Sequence, residues 1–145
     1  EGIPREDIEA LVTPVTEARA FDLAGRILSR DYTAALGTID DLIFLKETPV
    51  SILTILTMSF VDMYRAAIAK RAGIPDAAAR KALGYGSAYR YEQAAANQRK
   101  FSLPALEDIL ELLAEADSRS KSTGIDAKVV LETTVAEIFR RMERP

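Results

Sequence analysis

The chain has 145 residues, a formal net charge of −3 and a pI of about 5.1, and it contains no His, Cys or Trp. A Ser-His-Asp triad, a thiol nucleophile, a disulfide and a zinc site of the usual ligands are thereby excluded, and so is a His-containing di-iron bundle. The mildly acidic balance argues against a strongly electrostatic nucleic-acid binder, although it leaves room for a local basic patch.

With 23 Ala and 15 Leu, and no run of alternating apolar and polar residues, the chain is expected to be all-α. The expected architecture is a helical bundle of about seven to eight helices around one long central helix. The start, EGIPREDIEA, is acidic, has no apolar core of a signal peptide and no initiator Met. The expectation is therefore a domain cut from a longer protein.

Pro4 fits the first turn of a short helix through Val12, with Ile8 and Leu11 on one face, and Thr13–Thr16 breaks it. A second helix is expected from Glu17 to Ser29, with Phe21, Ala24, Ile27 and Leu28 as its apolar stripe. Asp31 reads as the N-cap of a third, in which Tyr32, Ala35, Leu36, Ile39, Leu42 and Ile43 follow the 3.6 period. Thr48 caps the next and Pro49 takes its first position.

That fourth helix, Pro49 to Ala72, is the longest at roughly 36 Å. Its apolar residues Ile52, Leu53, Ile55, Leu56, Phe60, Val61, Tyr64 and Ile68 cover more than one face, as expected of a central helix. The uninterrupted apolar run, Pro49 to Val61, is stopped by Asp62 and falls short of the roughly 20 residues a bilayer requires. Gly73 is the expected cap. Two shorter helices follow, Pro75 to Leu83, ended by Gly84-Tyr85-Gly86, and Ala88 to Arg99, started by Ser87. A seventh begins after Ser102 with Leu103, Leu106, Ile109, Leu110 and Leu113 as its stripe and Gly124 as its C-terminal cap. An eighth begins at Asp126 and buries Val130, Leu131, Val135, Ile138, Phe139 and Met142.

Four features invite a chemical reading. Glu107, Asp108, Glu111 and Glu115 form an acidic row on the seventh helix, either a carboxylate metal site or a solvated face. The solvated face is preferred, because oxygen sites need converging ligands and no second row is visible. Asp117 and Lys121 have the i, i+4 order that favours an ion pair. Arg140, Arg141 and Arg144 end the last helix, where cations complement the helix dipole, the sharper alternative being an arginine finger or phosphate clamp. Between Ile68 and Lys100 a helix, a turn and a helix bearing Arg90, Gln93, Asn97 and Gln98 suggest a helix-turn-helix DNA reader. The plainer alternative is two small packing helices brought close by Ala94 and Ala95. No glycine-rich phosphate loop is present, so no ATPase core lies in this segment.

Taken in order, Phe21-Asp22-Leu23, Ala35-Leu36, Leu42, Ile52-Leu53, Leu56, Arg65, Leu83-Gly84, Tyr89-Arg90, Ala94-Ala95, Phe101-Ser102, Leu106, Leu110, Ala116-Asp117, Lys121-Ser122 and Leu131-Glu132 resemble the C-terminal domain of the delta subunit of the bacterial DNA polymerase III clamp loader. The resemblance covers about residues 17 to 142. It implies a helical collar (oligomerisation) domain over 17–145, with 1–16 as the tail of a preceding lid domain. It also implies a cytoplasmic, non-membrane role in DNA replication as an accessory subunit of the polymerase holoenzyme. Partners would be delta prime and gamma/tau type subunits through the collar. The sliding clamp would be reached through an N-terminal domain outside this segment, and DNA through the complex. No catalytic, metal or cofactor residue is implied here. Asp117, Lys121, Tyr89 and Arg90 are carried over as structural or interface residues. Exposed apolar surface on Pro49 to Ile68, with Tyr85, Tyr89 and Tyr91, would serve the contacts to neighbours.

Overall fold

A helix that is apolar around most of its circumference must be covered around most of it. The computed structural model describes residues 22–85 and 88–142. Among them are seven α-helices and no strand. They are α1 over 22–28, α2 (Tyr32–Phe44), α3 (Pro49–Arg71), α4 (Asp76–Ala82), α5 (Ala88–Asn97), α6 (Leu103–Ser120) and α7 (Ala127–Met142), with a 3-10 turn at Gln98–Lys100 after α5. The expected helix over the first dozen residues, Phe21, the Ser87 start and Arg144 lie outside the described residues.

The long helix α3 is the centre, and α2, α4, α5, α6, α7 and the 3-10 turn all pack against it. It buries Ile52, Leu53, Leu56, Phe60, Met63, Ala66, Ala67 and Ala69. Facing these are Leu106, Ile109, Leu113 and Ala116 of α6, and Val130, Leu131, Val135 and Ile138 of α7. The Phe60 ring meets Phe101 edge-on at 5.9 Å between centroids. Leu23, Ala24, Ile27 and Leu28 of α1 join the same core. By length and composition alone α3 would cross a bilayer, but 56% of its apolar window is buried inside the fold, which is how the core helix of a helical bundle is placed.

The helix starts follow local chemistry. Asp31 accepts the Ala34 N–H at 3.0 Å, Thr48 that of Ser51 at 3.1 Å with Pro49 next to it, and Ser102 that of Ala105 at 3.2 Å. The ends of α1, α2, α3 and α4 share one device. The N–H three residues past the last helical residue bonds back across the last turn: Asp31 to the Arg26 carbonyl, Glu47 to Leu42, Ile74 to Ala69, and Tyr85 to Arg80. Each such turn has one residue in the left-handed region, Arg30, Lys46, Gly73 and Gly84 respectively. Glycine adopts this without strain, whereas Arg30 and Lys46 do not.

Asp62, which interrupts the apolar run, sits within α3 as expected and is buried, 3% exposed. One expectation is corrected. Helix α6 stops at Ser120, well before Gly124. There the ladder tightens, Lys121 and Ser122 donating to the carbonyls three residues back, while the Ser120 and Ser122 hydroxyls take up the Asp117 and Ser118 carbonyls. Gly124 has a positive φ, 83°, but belongs to the connecting turn.

Lys46→Gly removes left-handed strain at the end of α2 at the expense of one cation near the helix terminus. It is expected to stabilise the fold by about 0.5 kcal/mol, read as a higher denaturant midpoint; a lower midpoint would contradict the strain argument.

Candidate functional site

Asp62 organises the polar interior. Arg90 on α5 donates to it with a forked pair of bonds, Nε to Oδ2 at 2.6 Å and Nη2 to Oδ1 at 3.0 Å. The Tyr85 hydroxyl, from the turn before α5, donates to Oδ1 as well. The Arg90 guanidinium lies over the Tyr85 ring, 5.1 Å from its centroid, and that ring packs against Tyr91 at 5.3 Å. Arg65 donates a long bond, 3.5 Å, to the Tyr85 hydroxyl. A lone carboxylate placed inside a protein costs several kcal/mol, so the site exists only because these partners converge on it. Loss of water, and then the hydrogen bond to the Asp62 carboxylate, push the Tyr85 phenol above its ordinary value, with Arg65 opposing.

Beside this network runs a groove of about 580 Å³ between α3 and α6. One wall carries Thr54, Thr57, Met58, Val61 and Arg65 of α3, and the other Leu113, Ala114, Asp117 and Lys121 of α6. Tyr64 donates to Glu107 near the start of α6, at 3.0 Å. The later residues of α6 can then line the groove beside Thr54 to Arg65 only if the two helices run antiparallel. The Asp62–Arg90 pair therefore closes one end, while the Asp117–Lys121 pair, 2.9 Å apart, lies toward the other.

The residues singled out in the sequence separate into distinct places. Asp117 and Lys121 form their ion pair on the groove wall, and Arg90 holds Asp62. Tyr89 is 70% exposed on α5. Tyr91, expected on the surface, is buried because its side of α5 is the one turned to α3, together with Ala94. Tyr85 is half-buried against Asp62. Of the proposed base readers, Arg90 is engaged in the interior, Asn97 and Gln98 are half-buried, and only Gln93 is exposed. The acidic row is shared out: Glu107 accepts from Tyr64 and Asp108 pairs with Arg141, while Glu111 and Glu115 are exposed. Among the described residues no three acidic side chains gather as a metal site would require. Arg140 pairs with Glu137 at 2.9 Å.

Several large apolar side chains remain uncovered. Ile68, Ile74, Leu83 and Tyr89 lie at the end of the molecule formed by the close of α3, by α4 and by the opening of α5. Phe44, 85% exposed, and Leu45 form a second such point at the end of α2.

This arrangement of helices around a long central one is a known fold. It matches the Bacillus subtilis DNA clamp loader delta protein with a TM-score of 0.81 and 24% identity, covering 93% of this chain and 40% of that one. Residues 17–138 match the family of the DNA polymerase III delta subunit, C-terminal domain, and the chain belongs to that family. It is also 26% identical over 144 residues to DNA polymerase III subunit delta of Bacillus subtilis (strain 168), covering 99% of this chain and 41% of that protein. The chain thus spans about two-fifths of the length of the relatives it matches.

Asp62→Ala should leave Arg90 and Tyr85 facing each other without their acceptor. Breaking a buried pair costs about 3–5 kcal/mol, and because the Arg90 side chain is 35% exposed the expected loss is roughly 2–3 kcal/mol. A double-mutant cycle with Arg90→Ala checks it, and additive losses would show that the two residues are not coupled. Tyr85 gives a second test. With a folded-state value above the ordinary 10.0, its contribution is complete below that pH and is lost as pH rises through the raised value. The melting temperature should fall in strong alkali, and less steeply in Tyr85→Phe.

Proposed function

We propose that this domain is the oligomerisation (collar) module of a clamp-loader delta subunit. In the assembled loader it packs by helix faces against neighbouring subunits, of the delta prime and gamma/tau types, and so helps hold together the machine that places the sliding clamp on DNA during replication. Contact with the clamp falls to an N-terminal domain of the delta subunit and ATP hydrolysis to partner subunits. The collar itself works by packing, without a cofactor or a catalytic group, in the cytoplasm.

The observation that carries this reading is the family match over residues 17–138. The distribution of side chains supports it. Arg90, Asp108 and Arg141 are engaged in tying helices together, while Ile68, Ile74, Leu83, Tyr89 and Phe44 stand uncovered at the ends of the bundle. Surface of that kind suits protein contacts. The helix-turn-helix alternative depends on Arg90 reading a base edge, and the fork to Asp62 holds that guanidinium elsewhere.

The test is reconstitution of the delta subunit with the other loader subunits, followed by size-exclusion chromatography with light scattering. Co-migration in one complex is expected, weakened by Ile68→Glu or Tyr89→Glu. Absence of co-migration with any loader subunit overturns the reading. Salt-dependent duplex binding by the domain alone, lost in Arg90→Ala, would favour the DNA-reading alternative.

A further inference from the structure

The groove beside α3 is a strip of the central helix that the other described residues leave open, and its chemistry defines an occupant. Thr54, Thr57, Met58, Val61 and Arg65 recur at helical spacing along one stripe of α3, about 16 Å from first to last. The Thr54 and Thr57 hydroxyls donate to the Val50 and Leu53 carbonyls of their own helix, at 2.9 and 2.8 Å. The donor capacity of both is thus used within α3, and what they add to the wall is largely methyl surface. Across from them the small, exposed Ala114 completes an apolar trough, with Leu113 buried beneath it. At its ends, Asp62 is matched by Arg90 and Asp117 by Lys121. Arg65 remains: it is exposed, and among the described residues no carboxylate lies within ion-pair distance of it. The trough therefore has an apolar floor about three helical turns long and one surplus positive charge at the Asp62 end.

The geometry points to a single partner helix in this groove, contributed by a neighbouring loader subunit. Its apolar face lies on Met58, Val61 and Ala114, and a carboxylate near one end opposes Arg65. This inference rests on the collar reading and narrows it from an unspecified face to one groove. A nucleic-acid strand fits less well, because Asp62 and Asp117 line the same walls and the single surplus charge is small for a phosphate track.

The test uses the full-length delta subunit and its neighbours. Ala114→Trp, at an exposed position, fills the trough, and Arg65→Glu reverses its charge. Each should weaken association with one neighbour by roughly tenfold or more, Arg65→Lys should weaken it less than Arg65→Glu, and the exposed Glu111→Lys outside the groove should change it by no more than about twofold. A photo-crosslinking residue at the exposed Thr54, which disturbs neither core nor ion pair, should capture that same neighbour, so the result stands even if a groove variant misfolds. Unchanged association in folded groove variants, or no capture from position 54 in an assembled complex, overturns this inference while leaving the collar reading in place. Loss of DNA binding with subunit association intact overturns it in favour of a nucleic-acid strand. Failure of the unaltered subunit to assemble overturns the collar reading and this inference together.

Discussion

The structure depends on the burial of α3. A 23-residue helix with apolar residues on more than one face cannot be covered by one partner, because a neighbouring helix shields only a stripe of its circumference. The remaining elements solve this by surrounding it: α6 lies along it antiparallel, α5 and the 3-10 turn close over another side, and α7, α2 and α4 fill in. Each of these helices needs only one apolar stripe. The order of dependence runs from the centre to the shell, and the groove between α3 and α6 is the remainder, a strip of the centre that the surrounding helices leave open.

Asp62 makes this arrangement specific. Apolar packing alone tolerates rotation and sliding of α5 over α3, since one small apolar residue replaces another at modest loss. A buried carboxylate does not tolerate it. The fork from Arg90 and the hydroxyl of Tyr85 fit only when α5 and its preceding turn sit at one rotation and one height. Asp62 and Arg90 also border the groove, so the position of its end wall is set by the ion pair and not by apolar contact.

Much of the fold was legible in the sequence because it is local. Asp31, Thr48 and Ser102 cap helices by bonding within three residues of themselves, and the 3.6 periodicity of Leu106, Ile109 and Leu113 shows which face is inward before any partner is known. What stayed hidden is what depends on distant pairs. Asp62 lies 28 residues from Arg90 and 23 from Tyr85, and read alone it looks like the polar end of an apolar run. The signal available was its position, an acid with Met63, Ala66, Ala67 and Ala69 still to come on a buried helix, which demands a distant cation. Tyr91 was misread for a related reason: α5 is so rich in Ala and polar residues that its buried side is marked by only Tyr91 and Ala94. The end of α6 was misplaced because Gly124 is the more familiar stop signal, whereas serine hydroxyls and a tightened last turn act first. Of the candidate surface, Asp117, Lys121 and Arg90 were singled out separately, but that two ion pairs bracket one groove follows only from the antiparallel setting of α3 and α6.

One contact at the margin has a wider consequence. The guanidinium of Arg30, held in the left-handed region just past α1, donates to the Met142 carbonyl at 3.2 Å, at the end of α7. It offsets the negative end of that helix's dipole. It also places the first and last described helices at a common corner, with the chain at residue 22 only about one short helix length, some 10 Å, from that corner. Anything covalently attached on either side of these helices would then pull on the same corner.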